Sequence, residues 1–288
     1  MQKKERIFVF STGLVLLLIF TFTDLQISTL LFTKNLYGRI FEIVGELPFM
    51  FLALFGCCLL LRFRSKKNLV VNIISGVCFA CFALLFTLMS GFMTLNYLRD
   101  NLGTVPAFVG VIVGALLFGS ALFFTLKIPP ESAHKAVTYG IIALVYFVLI
   151  LVVMNTIKTT WGRMRMREMT DPLTQFTPWY VLTNRGGFDN RYASFPSGHS
   201  MNSAAIILAL LLPSFVPTLS KKAKIIKIIT YTWMLLVGAS RVVMGAHFAS
   251  DVTVGILLSL TLFELTRFVI SKLRHEDLLN TATPVCSR

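Results

Sequence analysis

From Leu69 to Leu95 the chain carries no charged side chain, and comparable apolar runs recur along most of its length. Inside a bilayer each backbone N–H and C=O must find a partner within the protein, so runs of this kind read as membrane-spanning helices. Those near Ile7–Phe22, Leu47–Leu61, Leu69–Leu95, Val105–Leu126, Ala136–Ile157, Met201–Leu219, Ile225–Val243 and Val252–Ile270 reach or approach the length that crosses about 30 Å of hydrocarbon. Composition agrees, since 56% of the 288 residues are hydrophobic, only 14% are charged and the mean hydropathy is +0.77. The expected fold is all-α, a polytopic helical membrane protein with about eight spans, Leu47–Leu61 being the shortest.

A basic flank (Lys3, Lys4, Arg6) precedes the first run as in a secretory signal, but "TFTDLQ" has no small-x-small cleavage site, so the run reads as a retained span. Asp24 to Pro48 is apolar at helical intervals yet broken by charge, the pattern of an interfacial helix. Cys57, Cys58, Cys78 and Cys81 fall within spans and Cys286 in the tail; Cys78-x-x-Cys81 in an apolar helix reads as small buried side chains and not as a redox pair. With no internal repeat or linker, residues 1–288 are expected to form a single membrane domain. Its spans would run to residue 157, its motifs over 158–251 and a cytoplasmic tail over 272–288.

The net charge of +14 sorts by loop. Lys and Arg near positions 3–6, 62–67, 127–135, 221–227 and 272–274 fall on one side of successive spans, which marks that side and both termini as cytoplasmic. Short basic loops of this kind do not form the continuous basic surface of a nucleic-acid binder. One outer connection breaks the pattern, because residues 157–199 hold Lys158, Arg163, Arg165, Arg167, Arg185 and Arg191. Arginines where topology does not require them suit phosphate. The aromatics of that connection, Phe176, Trp179, Tyr180, Phe188 and Tyr192, read as a headgroup belt.

Three pieces converge on that outer face. In "KTTWGRMR" two helical turns separate Lys158 from Arg165. "SFPSGHS" offers the N–H groups of Ser197 and Gly198, with His199 beside them. In "SRVVMGAHFASD" Arg241 ends one span, and His247 and Asp251 share a helix face. Three cations and a helix start suit a phosphoryl group. His247, its second ring nitrogen expected on Asp251, is the candidate nucleophile, and His199 the candidate general acid. No metal-ligand cluster or cofactor motif is visible, so neither metal nor cofactor is expected.

These pieces resemble the three signatures of the type 2 phosphatidic acid phosphatases, Lys-x6-Arg-Pro, Pro-Ser-Gly-His and Ser-Arg-x5-His-x3-Asp. The second and third match in full, whereas Met166 stands where the first has proline. The resemblance implies a six-helix core shared with vanadium haloperoxidases. It also implies phosphate binding by Lys158, Arg165, Ser197, Gly198 and Arg241, acid work by His199, attack by His247 and orientation by Asp251. More spans precede the first motif than that core contains, which implies an extra N-terminal helix pair.

The expected function is a metal-independent lipid phosphatase working through a phosphohistidine on the outer membrane surface. Undecaprenyl diphosphate is the leading substrate and phosphatidylglycerol phosphate or phosphatidic acid the alternative. Partners are then the lipid phosphate and membrane lipids. A transporter or flippase for anionic lipids is the rival from another class; its expected mark, broken helices at related positions of two halves, is not visible.

Overall fold

The computed structural model describes residues 1–187 and 189–274. Cys286, the ring of Phe188 and the tail beyond Arg274 lie outside the described residues, with the expectations placed on them. Every regular element among the described residues is helical: α1 (Lys3–Leu31), α2 (Leu36–Val44), α3 (Leu47–Phe63), α4 (Leu69–Leu102), α5 (Phe108–Leu126), α6 (Ala133–Trp161), α7 (Pro172–Gln175), α8 (Gly198–Ala204), α9 (Ala223–Val243) and α10 (Ala249–Arg274), with short 3-10 turns between some of them.

Seven helical stretches among the described residues are long and apolar enough to cross a membrane, which makes this a multi-pass helical membrane protein. The remaining expected span, Met201–Leu219, takes another form: α8 passes into a 3-10 helix, Ala205–Ser214, that contains Pro213. A 3-10 helix rises about 2.0 Å per residue against about 1.5 Å for an α-helix, so Gly198–Ser214 stretches to about 30 Å although it is short. The interfacial segment begins later than expected. α1 continues through Asp24 to Leu31, and only α2 stands as a separate short helix, capped by the Asn35 side chain on the Gly38 N–H.

The chain packs as two compact units. One comprises Glu46–Phe147, Leu208–Ile228 and the chain from Thr266. Its centre is α3, which is hydrophobic on all sides and buries Phe49, Leu54, Phe55 and Leu59. Phe49 stacks on Phe147 at 5.2 Å, and α4 and α5 meet backbone to backbone where a Cβ on Gly91 would clash with the Gly110 carbonyl. Cys57 and Cys58 are buried here, but Cys78 and Cys81 are exposed on α4. The expectation of burial fails for that pair because lipid surrounds an outward face as protein surrounds an inward one, and an apolar helix does not distinguish the two.

The other unit comprises Met1–Gly45, Val148–Ile207 and Ile229–Leu265 and holds every motif residue. Its α1 exposes large apolar side chains such as Phe8, Leu14, Leu18 and Phe22 and buries Gly13, Asp24 and Ser28. An aspartate buried on a spanning helix needs a partner, and finding it leads to the site.

Candidate active site

Lys158 lies in the last turn of α6. Gly162, at φ +73°, ends that helix where a Cβ would come within 2.5 Å of the Gly186 nitrogen, and the next residues run extended. Arg165 N–H donates to the Arg191 carbonyl at 2.9 Å, and Ser194 N–H to that of Arg163 at 3.0 Å. The extended backbone sends Arg163 and Arg165 to the same side. Arg165 sits at φ −77° and ψ 143°, the conformation that a following proline would impose, so Met166 leaves the local backbone as the motif requires it.

The second piece turns through a cis Phe195–Pro196 bond into α8. The Lys158 ammonium packs against this turn, for a Cβ on Gly198 would meet Nζ at 3.1 Å and the Met154 sulfur at 2.9 Å. Gly198 opens the helix, so its N–H has no carbonyl of that helix to donate to. Ser197 departs from expectation. Its N–H donates to the Asp251 carbonyl at 3.1 Å, and its hydroxyl is shared with Ser200 at 2.8 Å. α10 comes this close because Gly255 lacks a side chain, a Cβ there falling 2.7 Å from the Ser197 carbonyl. We expect Gly198→Ala to displace Lys158 and lower kcat/KM by about ten- to hundredfold with little change in melting temperature, as misplacing one positioning charge does. Steady-state kinetics beside a thermal melt check it.

The third piece is a tight turn. Met244 and Gly245 N–H groups close on Ser240 and Val242, Gly245 adopts φ +61°, and the Ala246 and His247 N–H groups both return to the Arg241 carbonyl at 3.1 and 3.3 Å. The turn of Met244, Gly245 and Ala246 that follows α9 thus fastens Arg241 to His247. The charges of Arg241, Lys158 and Arg165 all act on His199, and those of Arg165, Lys158 and His199 on His247. The structure therefore gathers the three pieces around one electropositive centre. His247 is 3% exposed, and burial, with Arg165 and Lys158 nearby, holds its imidazole well below the usual histidine range.

Asp251 does not meet His247 as the sequence reading supposed. His247 Nδ1 donates to the Ser194 carbonyl at 2.5 Å, while the Asp251 carboxylate accepts from the Ser194 hydroxyl (2.6 Å), Phe248 N–H (2.9 Å) and Arg163 Nη1 (2.5 Å). Sitting in the first turn of α10, it is drawn to the helix start and to a guanidinium that outbids the imidazole. Ser194 is the residue between them.

Arg163 is the largest feature that the sequence reading missed as a site residue. It is fully buried and donates to Asp251, to Ser250 Oγ (2.8 Å), to Asp24 Oδ2 (3.0 Å) and to the Thr177 carbonyl (2.9 Å). Asp24 also accepts from the Ser250 N–H at 2.9 Å and from its hydroxyl. A lone aspartate in an apolar run was the signal for this network. The guanidinium lies over the Phe248 ring at 4.1 Å and near Phe176, and Trp179 stacks on Phe195 and donates to Thr21 at 3.0 Å. Phe176 and Trp179 thus leave the expected headgroup belt for the packing around the site, drawn there by a buried cation and a free indole N–H. Tyr180 remains 55% exposed.

Fold and site together define a helical membrane protein that gathers two histidines and three cations into one centre. Residues 139–274, the part of the chain that carries all three motifs, match the family model of the PAP2 superfamily. Phosphatidylglycerophosphatase B of Bacillus subtilis (strain 168) is 45% identical over 84 residues, 28% of this chain and 41% of that protein. The chain therefore aligns with about two fifths of the curated relative's length. No solved structure matches the chain.

Proposed function

We propose that this protein is a lipid phosphatase, removing a phosphomonoester or terminal phosphate through a phosphohistidine, without a metal. The observation that carries the reading is the state of His247. A carbonyl only accepts, so the Ser194 contact puts the hydrogen on Nδ1 and leaves the Nε2 lone pair to attack. Burial beside two cations keeps that lone pair unprotonated.

Nε2 bonds to phosphorus as the bond from phosphorus to the lipid oxygen breaks, with Lys158, Arg165, Arg241 and the Gly198 N–H holding the equatorial oxygens. His199 gives the departing oxygen its proton. As an imidazolium it keeps its Nε2 hydrogen on the Glu42 carbonyl at 3.2 Å and gives up the one on Nδ1. Water then attacks the phosphohistidine, loses a proton to His199, and inorganic phosphate leaves as the phosphorus–nitrogen bond breaks. Asp251 and Ser194 hold His247, and Ser197 shapes the turn.

The relative's name favours phosphatidylglycerol phosphate as substrate, while the outward-facing site inferred from the Lys and Arg distribution favours undecaprenyl diphosphate. Phosphate release from these two lipids, phosphatidate and a hexose phosphate, with and without chelator, decides between them. We expect release from at least one lipid, unchanged by chelator and inhibited by vanadate. Binding without any release would favour the carrier class, and loss with chelator that magnesium restores would overturn the metal-free mechanism.

A further inference from the structure

α2 lies outside the segment that matches the PAP2 superfamily, yet it touches two of the motif residues. Arg241 is 1% exposed, and each of its guanidinium nitrogens is engaged: Nη1 by Glu42 Oε1 at 3.0 Å, Nη2 by the Gly38 carbonyl at 3.0 Å and Nε by Ser240 Oγ at 3.1 Å. Glu42 is itself buried, with Arg167 Nη1 at 3.7 Å from the same carboxylate oxygen, and its backbone carbonyl is the one that meets His199. A single residue of α2 thus sets a negative charge against a cation of the phosphate centre and steadies the acid.

The helix that carries Glu42 is firmly docked. Tyr37 Oη donates to the Leu236 carbonyl at 2.5 Å, Trp233 Nε1 to the Gly45 carbonyl at 3.0 Å, and Phe41 meets the Trp233 ring edge-on at 5.5 Å. The contacts fall before, beside and beyond Glu42, so the carboxylate stays beside Arg241 when an anion arrives. A phosphate gripped by Arg241 then shares that guanidinium with a fixed like charge, which opposes its binding.

We propose that Glu42 is a positioning residue that acts through Arg241 as a built-in counter-anion, weakening the hold on phosphate and so favouring release of the product. The proposal rests on the phosphatase reading above. Without such a charge, three clustered cations in a buried centre would retain inorganic phosphate, because their attraction for an anion is strong in a low dielectric. Glu42→Gln keeps the shape and an oxygen for Arg241 Nη1 but removes the charge, and arginine stays protonated regardless.

The test is calorimetric titration of the purified full chain with inorganic phosphate, beside phosphate inhibition of lipid hydrolysis. We expect Glu42→Gln to bind phosphate about tenfold more tightly than wild type, with a matching fall in its inhibition constant. Glu42→Asp, which keeps the charge, should stay near wild type, and Arg241→Ala should lose most of the binding. A merely structural glutamate would give weaker binding in Glu42→Gln, never tighter. Equal or weaker phosphate binding in that variant, with hydrolysis by wild type intact, would overturn the role of Glu42 alone; should Glu42→Gln fail to fold, equal binding by wild type and Glu42→Asp together with tighter binding by Glu42→Ala would uphold it, and weaker binding by Glu42→Ala would overturn it. A wild type that neither binds phosphate nor hydrolyses any lipid would bring down the phosphatase reading itself.

Discussion

His247→Ala is expected to leave no acid-labile phosphate on the protein and to reduce turnover by roughly four to six orders of magnitude, the loss seen when a covalent nucleophile is removed from a preorganised site. On the proposed mechanism the residual rate would come from Lys158, Arg165 and Arg241, which would still favour the charge distribution of the transition state. His199→Ala should behave differently. Attack by His247 needs no proton from His199, so an aryl phosphate, whose leaving group departs as an anion, should be partly rescued relative to a lipid alcohol ester. Single-turnover trapping of phosphoprotein with both leaving groups distinguishes the two variants. Phosphoenzyme trapped in His247→Ala, or equal losses on both substrates in His199→Ala, would require the roles to be exchanged or abandoned.

Arg163→Ala is expected to be the most damaging substitution away from the reacting atoms. It would strand the carboxylates of Asp24 and Asp251, both 2% exposed or less, without the cation that compensates them. Breaking a buried pair from one side costs about 3–5 kcal/mol, and here one guanidinium serves two carboxylates. Activity should fall as well, because Asp251 holds Ser194, whose carbonyl holds His247. Arg163→Lys should rescue little, since an ammonium cannot reach Asp24, Asp251, Ser250 and the Thr177 carbonyl in the planar fork that Arg163 uses. Denaturation in detergent alongside phosphate release tests both. A variant as stable as wild type would mean that the two aspartates are neutral and need no cation.

The membrane fold and the motif residues could be read directly from the chain because each rests on local rules. A run without charge must pair its own backbone in lipid, and Ser-Arg-x5-His and Pro-Ser-Gly-His are turns whose geometry lies in a few adjacent residues such as Gly245 and Gly198. The partners of those residues lie far away in sequence and depend on packing. Asp24, Glu42 and Arg163 reach Asp251, Arg241 and His199 across separations that no periodicity encodes, and a carboxylate on an apolar helix looks the same whether it meets an arginine or water. Asp251 illustrates the difference. Its spacing from His247 suggests one shared helix face, but α10 begins at Ala249 and leaves His247 in the turn before it, and which donors Asp251 accepts was decided by the buried guanidinium of Arg163 and the hydroxyl of Ser194, both brought there by other segments. Spacing along a chain determines which groups can meet; the low dielectric of the folded interior, where an unpaired charge is costly, determines which of them do.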